Sequence, residues 1–230
     1  MSDGATTWAA VGLPVAFALG CVPSARIVAR YTGGADIQIA GDGKPGAANV
    51  ARTLGWRPGA VTLAADLVKG ATPALVARRC GAGPGLTGAF AVTPVVAHVS
   101  VVGGRGAATA LGAALAIDAP ATGIVLPVVV GSAVARRAAL GVMVSALALP
   151  LASLALGRRG RAAWCATLPV ILAYARLRGG QAAAPLTARV AWERFWYDRE
   201  PLFHIGSDGV VRRRPGRHAA GYPAATTGRP

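Results

Sequence analysis

Apolar stretches with few charges recur along most of the chain. Four of them approach the length of about 20 residues that a helix needs to cross a bilayer, and a fifth is shorter. They cover residues 6–25, 59–77, 84–102, 138–157 and 162–175. A further run, residues 106–135, carries a single charge, Asp118, two residues before Pro120. This run is too long for one comfortable span and short for two, so the pattern predicts six or seven membrane-spanning segments.

These segments are expected to be helical, because backbone polar groups inside a bilayer must be hydrogen-bonded within the segment itself. The chain is rich in alanine and contains 31 glycines. Such small residues let neighbouring helices approach closely. We therefore predict an all-α fold, a polytopic membrane helix bundle of about seven transmembrane helices with short cytoplasmic glycine-rich loops, over residues 1–178.

The arginines between the apolar segments favour seven spans over six. Positively charged loops stay preferentially on the cytoplasmic side of a membrane. Seven spans with the N-terminus outside place most of the 24 basic residues on that side, whereas six spans reverse the distribution. We predict a multi-pass plasma-membrane protein with a turn at residues 118–120, its N-terminus outside and its C-terminus cytoplasmic.

The composition changes after Arg178, and residues 179–230 form a basic region rich in Ala, Pro, Gly and Arg. Within it, Trp192, Phe195 and Trp196 follow an i, i+3, i+4 spacing. That spacing suits a helix near residues 187–197 that lies in the membrane interface. The alternative is a disordered cytoplasmic tail that carries a few aromatic residues.

The overall composition excludes several classes of protein. With 53% hydrophobic residues, 14% charged residues and a mean hydropathy of +0.48, the chain is too apolar for an ordinary soluble domain. The net charge of +15 could indicate nucleic-acid binding, but the basic residues lie between apolar runs or in the C-terminal region. The bilayer, and no nucleic acid, is the expected partner. Three scattered cysteines, Cys21, Cys80 and Cys165, have no metal-ligand spacing, so no metal ion is expected.

Two glycine-rich loops with basic residues, Gly41–Arg52 and Gly103–Thr109, adjoin the apolar stretches. Glycines expose backbone N–H groups, a nearby Lys or Arg supplies positive charge, and a following helix N-terminus adds a favourable dipole. The loops therefore predict two phosphate-binding sites, both cytoplasmic in the seven-span topology. Neither loop has the Gly-x4-Gly-Lys-Ser/Thr spacing of a nucleotide-binding P-loop, which argues against a soluble-type NTPase.

Two ionisable residues, Asp66 and Lys69, lie inside the second apolar stretch and share one helical face. Charges at such depth are costly, which makes them candidate functional residues; an ion pair that only fixes helix orientation is the alternative. Lysine occurs at only two positions, Lys44 and Lys69. His98, near the end of the third stretch, could bind a substrate hydroxyl or a phosphate, or could be an interfacial polar residue.

Four segments follow one another in an order that is specific to one family. They are Gly20-Cys-Val-Pro-Ser24, the run from Gly41 to Gly55, Asp66-Leu-Val-Lys-Gly70 with Pro73, and His98 followed by Gly103-Gly-Arg-Gly-Ala-Ala-Thr109. Together they resemble the motifs of the bacterial acyl-phosphate:glycerol-3-phosphate acyltransferases, which are small seven-span membrane enzymes. The resemblance covers about residues 10–157.

The chain departs from the pattern of that family at several positions. Asp42, Lys44 and Ala48 stand where the family has Ser, Asn and Thr, and Arg105 replaces a lysine. About five residues between the histidine and the second glycine loop are missing. The third motif of the family cannot be placed on residues 176–180.

The resemblance implies transfer of an acyl group from acyl-phosphate to the first hydroxyl of glycerol-3-phosphate, giving lysophosphatidic acid for phospholipid biosynthesis without a cofactor. It implies catalytic roles for Lys69, His98 and Arg105. The implied substrate-binding residues are Gly41, Gly43, Lys44, Gly46, Asn49, Arg52, Asp66, Gly103, Gly104 and Gly106. Of these, Arg52 and Asn49, with Lys69, are expected on the glycerol-3-phosphate side, and Arg105 with the second loop on the acyl-phosphate side.

Two other functions remain open from the sequence. The replaced motif residues are compatible with a catalytically degenerate member of the same fold that acts as a lipid-binding or interaction protein. The intramembrane pair Asp66 and Lys69 is compatible with a small anion transporter.

Overall fold

The computed structural model describes residues 3–32, 37–38, 43–178, 186–198, 203–205 and 211–213. Nearly all of this part of the chain is helical, which confirms the predicted all-α class. The elements are α1 Asp3–Gly20, α2 Ser24–Thr32, α3 Ala47–Leu54, α4 Trp56–Arg79, α5 Pro84–Ala97, a π-helical turn His98–Val102, α6 Ala107–Val134, α7 Ala138–Ala155, α8 Arg159–Cys165, α9 Thr167–Leu177, α10 Ala188–Tyr197, and two strands, β1 Phe203–Ile205 and β2 Val211–Arg213. The strands form a short antiparallel pair.

The surface of the helical bundle is apolar, as expected for a protein in a bilayer. Five stretches in the described part of the chain are long and apolar enough to cross a membrane: Ala9–Thr32, Trp56–Arg79, Pro84–Val102, Ala107–Val134 and Ala138–Ala155. Large aliphatic side chains such as Val68 and Leu151 are more than 60% exposed, whereas Asp66 and Lys69 are 3% exposed. Polar groups inside and aliphatic groups outside are typical of a membrane helix bundle.

Helix α6 is broken at Asp118, whose backbone angles (φ −150°, ψ 82°) are not helical. Just before the break, the carbonyl oxygen of Ala116 accepts a hydrogen bond from Arg78 Nη1 at 3.0 Å. The carboxylate of Asp118 itself pairs with Arg158, between α7 and α8. These contacts define one end of the bundle, which we call the Asp118 end.

The second half of α6 returns from the Asp118 end to the other end of the bundle. There, the carbonyl oxygen of Ala139 accepts from Arg176 Nη2 at 2.9 Å, and that of Ala175 accepts from Arg105. We call this the glycine-loop end, because it contains the loop Gly103–Gly106. Gly141, one turn into α7, lies against Ser132 of α6, so the end of α6 reaches the glycine-loop end.

The chain therefore passes between the two ends seven times in the described residues, and the predicted turn at residues 118–120 is confirmed. The passages are α1, α4, α5 with the π-helical turn, the first half of α6, its second half, α7, and α8 with α9.

Small residues allow the central helices to pack at very short separations. A Cβ atom on Gly70 of α4 would overlap the carbonyl oxygen of Thr109 in α6. Fully buried alanines, among them Ala74, Ala91 and Ala113, fill the interior around them. Asp66 and Lys69, which precede Gly70 on α4, are buried in the bundle.

A second, smaller apolar cluster holds α2 and α3 at the glycine-loop end of α4. It contains Ala25, Ala29, Ile37 and Val50, all with at most 4% exposure. The side chain of Asn49 donates a hydrogen bond from Nδ2 to the carbonyl oxygen of Ile37 at 3.2 Å. This bond fixes Ile37 against α3.

Helix α10 packs on α9 and closes the glycine-loop end. The side chain of Thr187 caps its first turn by accepting from the backbone N–H of Val190 at 3.3 Å. Two buried arginines hold the helix in place: Arg194 Nη1 donates to the carbonyl oxygen of Leu177 at 3.0 Å, and Arg176 Nη1 to that of Phe195 at 2.6 Å. Trp192 is 59% exposed. The interfacial location of this segment stays a prediction.

Candidate active site

Lys69 lies at the centre of a buried polar cluster between α4, α2 and the π-helical turn. Its ammonium group is 2.8 Å from Asp66 Oδ1 and 2.8 Å from His98 Nδ1. It also donates to the carbonyl oxygen of Val22 at 3.0 Å and lies 3.4 Å from Ser24 Oγ. Because the side chains of Lys69, Asp66 and His98 are almost completely buried, the ion pair and its hydrogen bonds offset a large desolvation cost.

The contact with Lys69 determines which nitrogen of His98 carries the proton. An ammonium group only donates hydrogen bonds, so Nδ1 of His98 must accept from Lys69. The proton of the neutral imidazole is then on Nε2. This atom faces Gly104 of the second glycine loop. His98 therefore connects the buried charged pair to the loop and presents an N–H donor towards it.

Gly104 lies where the two glycine loops meet. A Cβ atom at this position would overlap His98 Nε2 and would lie 2.8 Å from the carbonyl oxygen of Pro45, which belongs to the first loop. Only a residue without a side chain fits there, because the imidazole of His98 is held by burial and the carbonyl of Pro45 belongs to the backbone. The two loops, separate in sequence, thus form one continuous surface at the glycine-loop end.

Cations from both loops converge on Asp198, which follows the last residue of α10. Lys44 Nζ of the first loop and Arg105 Nε of the second each lie 2.8 Å from the same oxygen, Oδ1. The three side chains are between 16% and 21% exposed, while Arg105 Nε and Asp198 Oδ1 are themselves buried. Arg105 also donates to the backbone of Ala175 in α9. The structure thus places a carboxylate at the point that both loop cations approach.

Two helix N-termini open next to this point. Helix α3 begins after Gly46 and α6 begins after Gly106, and neither has a side-chain cap. The first N–H groups of a helix have no partner within the helix, and together with the helix dipole they favour an anion. The arrangement agrees with the anion sites that the glycine loops predict.

The predicted site residues fall into two groups and some outliers. Asp66, Lys69 and His98 form the buried cluster, and Lys44, Arg105 and the second loop form the solvent-accessible one; Gly104 joins them. Asn49 is buried and bonded to Ile37, and Arg52 lies exposed in the last turn of α3. Gly43 has a φ of +66° in the first loop. Gly41 lies outside the described residues.

Two residues at the site, Ser24 and Asp198, are not predicted from the sequence. Ser24 contacts Lys69 and ends the segment Gly20–Ser24, so the resemblance of that segment was an available signal. Asp198 pairs with Lys44 across 154 positions of sequence, and no local pattern indicates that contact.

The sequence matches the family model for glycerol-3-phosphate acyltransferase over residues 10–182. This chain belongs to the glycerol-3-phosphate acyltransferase family. The glycerol-3-phosphate acyltransferase of Geobacter sulfurreducens is 37% identical over 151 residues, which cover 63% of this chain and 77% of the relative. That of Thermus thermophilus is 36% identical over 152 residues, covering 64% and 76%. That of Hydrogenovibrio crunogenus is 29% identical over 212 residues, covering 89% and 92%.

The fold is that of a solved member of the same family. The crystal structure of PlsY (YgiH), an integral membrane glycerol 3-phosphate acyltransferase, in its glycerol 3-phosphate form has a TM-score of 0.67 and 24% identity, and the match covers 73% of this chain and 88% of PlsY. The lysophosphatidic acid form has a TM-score of 0.66 and 23% identity, with coverages of 74% and 88%. Sequence family and fold together make this chain a membrane acyltransferase, as its motifs predicted.

The close approach at Gly104 leads to a first testable prediction. We expect Gly104→Ala to lower the acyl-transfer rate more than about tenfold, because the added methyl group forces the imidazole of His98 and the carbonyl of Pro45 apart. Rates are compared in membranes at equal protein content. Gly123→Ala, in α6 where a Cβ atom meets open space, is the matched control. A normal rate for Gly104→Ala would show that the junction of the loops tolerates displacement.

Proposed function

We propose that this chain transfers the acyl group of an acyl-phosphate to the first hydroxyl of glycerol-3-phosphate at the glycine-loop end of the bundle. The observation that carries the proposal is the convergence of Lys44 and Arg105, one from each glycine loop, on a single anion position. Gly104 joins this position to the cluster around Lys69 and His98. A phosphate group and a hydroxyl can therefore be bound side by side.

The chemistry requires positioning and charge rather than a protein nucleophile. Acyl-phosphate is already activated: the hydroxyl oxygen of glycerol-3-phosphate attacks the carbonyl carbon, and the bond from that carbon to the phosphate oxygen breaks. The phosphate leaves with the bonding electrons and takes up the proton of the hydroxyl, so that the products are the ester and hydrogen phosphate. Groups that bind both substrates and stabilise the charge on the carbonyl oxygen and the departing phosphate account for the catalysis.

The described residues suit defined roles in this step. Arg105 and the N–H groups at the start of α6 bind the phosphate of acyl-phosphate, as do those of Gly103, Gly104 and Gly106. His98 orients the hydroxyl, and Lys69, held by Asp66, fixes the tautomer of His98 and keeps positive charge nearby. Arg52, at the exposed end of α3, is assigned to glycerol-3-phosphate together with the first loop. No step needs a metal or a cofactor in this proposal.

The proposed topology places the glycine-loop end in the cytoplasm and the Asp118 end outside, in the plasma membrane. The arginines that follow the glycine loops and α9 support this orientation through the positive-inside rule. Glycerol-3-phosphate, a charged and water-soluble molecule, would then reach the site directly from the cytoplasm. We further propose residues 1–178 as the transmembrane acyltransferase domain and residues 179–230 as a cytoplasmic tail with α10 at the membrane interface.

One assay separates this function from its alternatives. Purified protein in detergent receives palmitoyl-phosphate and labelled glycerol-3-phosphate, and we expect labelled lysophosphatidic acid to accumulate with release of inorganic phosphate. A mixture in which palmitoyl-coenzyme A replaces palmitoyl-phosphate tests the donor. If no product forms with either donor, the degenerate or transporter function is favoured, and uptake of glycerol-3-phosphate into proteoliposomes distinguishes those two.

A further inference from the structure

The carboxylate of Asp198 lies where the proposed function expects the phosphate of a substrate. Both cations reach it through one oxygen, at 2.8 Å each. Two cationic nitrogens at that distance from a single anionic oxygen suit the oxygen of a phosphate as well as that of a carboxylate. Asp198 is thus an internal anion that neutralises charge contributed by both glycine loops.

Backbone contacts at the end of α10 and one hydrogen bond from the first glycine loop hold Asp198 at this position. The residue follows α10 in the left-handed region, with a φ of +52°, and its N–H donates to the carbonyl oxygen of Arg194 at 3.1 Å. Lys44 Nζ also donates to the carbonyl oxygen of Asp198 at 2.8 Å. Helix α10 in turn is fixed to α9 through Arg194 and Arg176. Hence, one short helix, α10, which is attached to α9, positions the carboxylate next to the two loops.

The contact can be exchanged for a dissolved anion. The side chains of Lys44, Arg105 and Asp198 are between 16% and 21% exposed, so the ion pairs lie close to the surface, although Arg105 Nε and Asp198 Oδ1 are themselves buried. Partly exposed ion pairs have modest free energies, far below those of buried pairs such as Asp66 and Lys69. A doubly charged phosphate can therefore compete with the single charge of Asp198.

We propose that Asp198 is an internal competitor that occupies the anion position between Lys44 and Arg105 and sets the affinity of the active site for the phosphate group of a substrate. The proposal rests on the proposed function only in taking phosphate as the ligand of the two glycine loops. Binding of substrate displaces the carboxylate from both cations, and the end of α10 moves aside. Asp198 is accordingly a specificity-determining residue, because a substrate anion must bind Lys44 and Arg105 more strongly than the carboxylate of Asp198 does.

Removal of the charge on Asp198 should strengthen phosphate binding. We expect Asp198→Asn to lower the dissociation constant for inorganic phosphate about tenfold, because the two charge-assisted contacts no longer have to be broken. Asparagine preserves the size of the side chain and tolerates the positive φ. Binding is measured by titration calorimetry of the full chain in detergent at constant ionic strength. Glu193→Gln, which removes a negative charge from the same helix, is the control and should bind phosphate like the wild type.

The outcomes distinguish two roles of Asp198: competition with phosphate, or ion pairs that only hold the two glycine loops in position. Weaker or unchanged phosphate binding by Asp198→Asn overturns the proposal. If the ion pairs of Asp198 only align the loops, their loss lowers the affinity of the protein for phosphate. If Asp198→Asn does not fold, Asp198→Gly, which suits the positive φ, replaces it with the same expectation.

The kinetic constants then identify the substrate that displaces Asp198. In Asp198→Asn, the KM of either palmitoyl-phosphate or glycerol-3-phosphate should fall about tenfold while that of the other stays unchanged. A tighter phosphate complex with both KM values unchanged would place the competition outside the substrate site and overturn the proposal. Phosphate titration needs no turnover, so its result stands even if the wild type forms no lysophosphatidic acid and the proposed function fails.

Discussion

Replacement of Lys69 with methionine is expected to abolish acyl transfer and to destabilise the protein. Without the ammonium group, the carboxylate of Asp66 stays buried and unpaired, and His98 loses the donor that fixes its tautomer. Loss of one partner from a buried ion pair costs on the order of 3–5 kcal/mol. Product formation in membranes and thermal unfolding in detergent measure the two effects.

The double variant Asp66→Leu/Lys69→Met separates stability from chemistry. Removing both charges at once replaces the ion pair with apolar groups of similar size, and we expect most of the lost stability to return. Acyl transfer should stay absent, since His98 still has no partner at Nδ1. If the double variant transfers acyl groups at the wild-type rate, the ion pair serves only to orient α4, and Lys69 has no part in catalysis.

Arg105→Ala is expected to reduce acyl transfer by roughly 100- to 1,000-fold, the effect typical for loss of one preorganised donor at a developing anion. The guanidinium group approaches the anion position from the second glycine loop, and it also binds the backbone of Ala175. The loss should appear in kcat/KM for palmitoyl-phosphate, measured at saturating glycerol-3-phosphate.

Two further variants test whether the effect of Arg105→Ala is due to loss of charge at this position. Arg105→Lys keeps the charge without the fork of donors, so we expect it to retain activity within about tenfold of the wild type. Arg79→Ala removes an exposed arginine at the end of α4, near the Asp118 end, and should leave the rate unchanged. Full activity of Arg105→Ala would reject the assignment of the second loop to the acyl-phosphate group.

The spans, the turn at Asp118 and the pairing of Asp66 with Lys69 could be predicted because each depends on local sequence. Segment length, the spacing of charges and the 3.6-residue helical repeat determine them. The meeting of the two glycine loops at Gly104 could be anticipated only through the family resemblance. No rule of spacing relates Pro45, His98 and Gly104.

Contacts that depend on the packing of helices distant in sequence could not be predicted from the sequence. The position of Asp198 follows from docking of α10 on α9, which buried backbone contacts of Arg176 and Arg194 determine. The sequence also shows about five residues fewer than the family pattern between His98 and Gly103. In the structure a π-helical turn, His98–Val102, occupies this short connection and still directs His98 to Gly104. The role of Asn49 at the substrate stays a prediction; its Nδ2 is bonded to the carbonyl oxygen of Ile37, a contact that no sequence pattern indicates.

The broken helix α6 imposes an order on the biogenesis of the bundle. The two halves are short, so they would enter the membrane together as a hairpin with Asp118 at its tip. The arginines that pair with this buried carboxylate, Arg158 and Arg161, are at least 40 residues further along the chain. They reach Asp118 only after α7 has been synthesised and has crossed the membrane. Until then the tip of the hairpin must stay in contact with water, so the hairpin cannot settle into the bundle before α7 joins it.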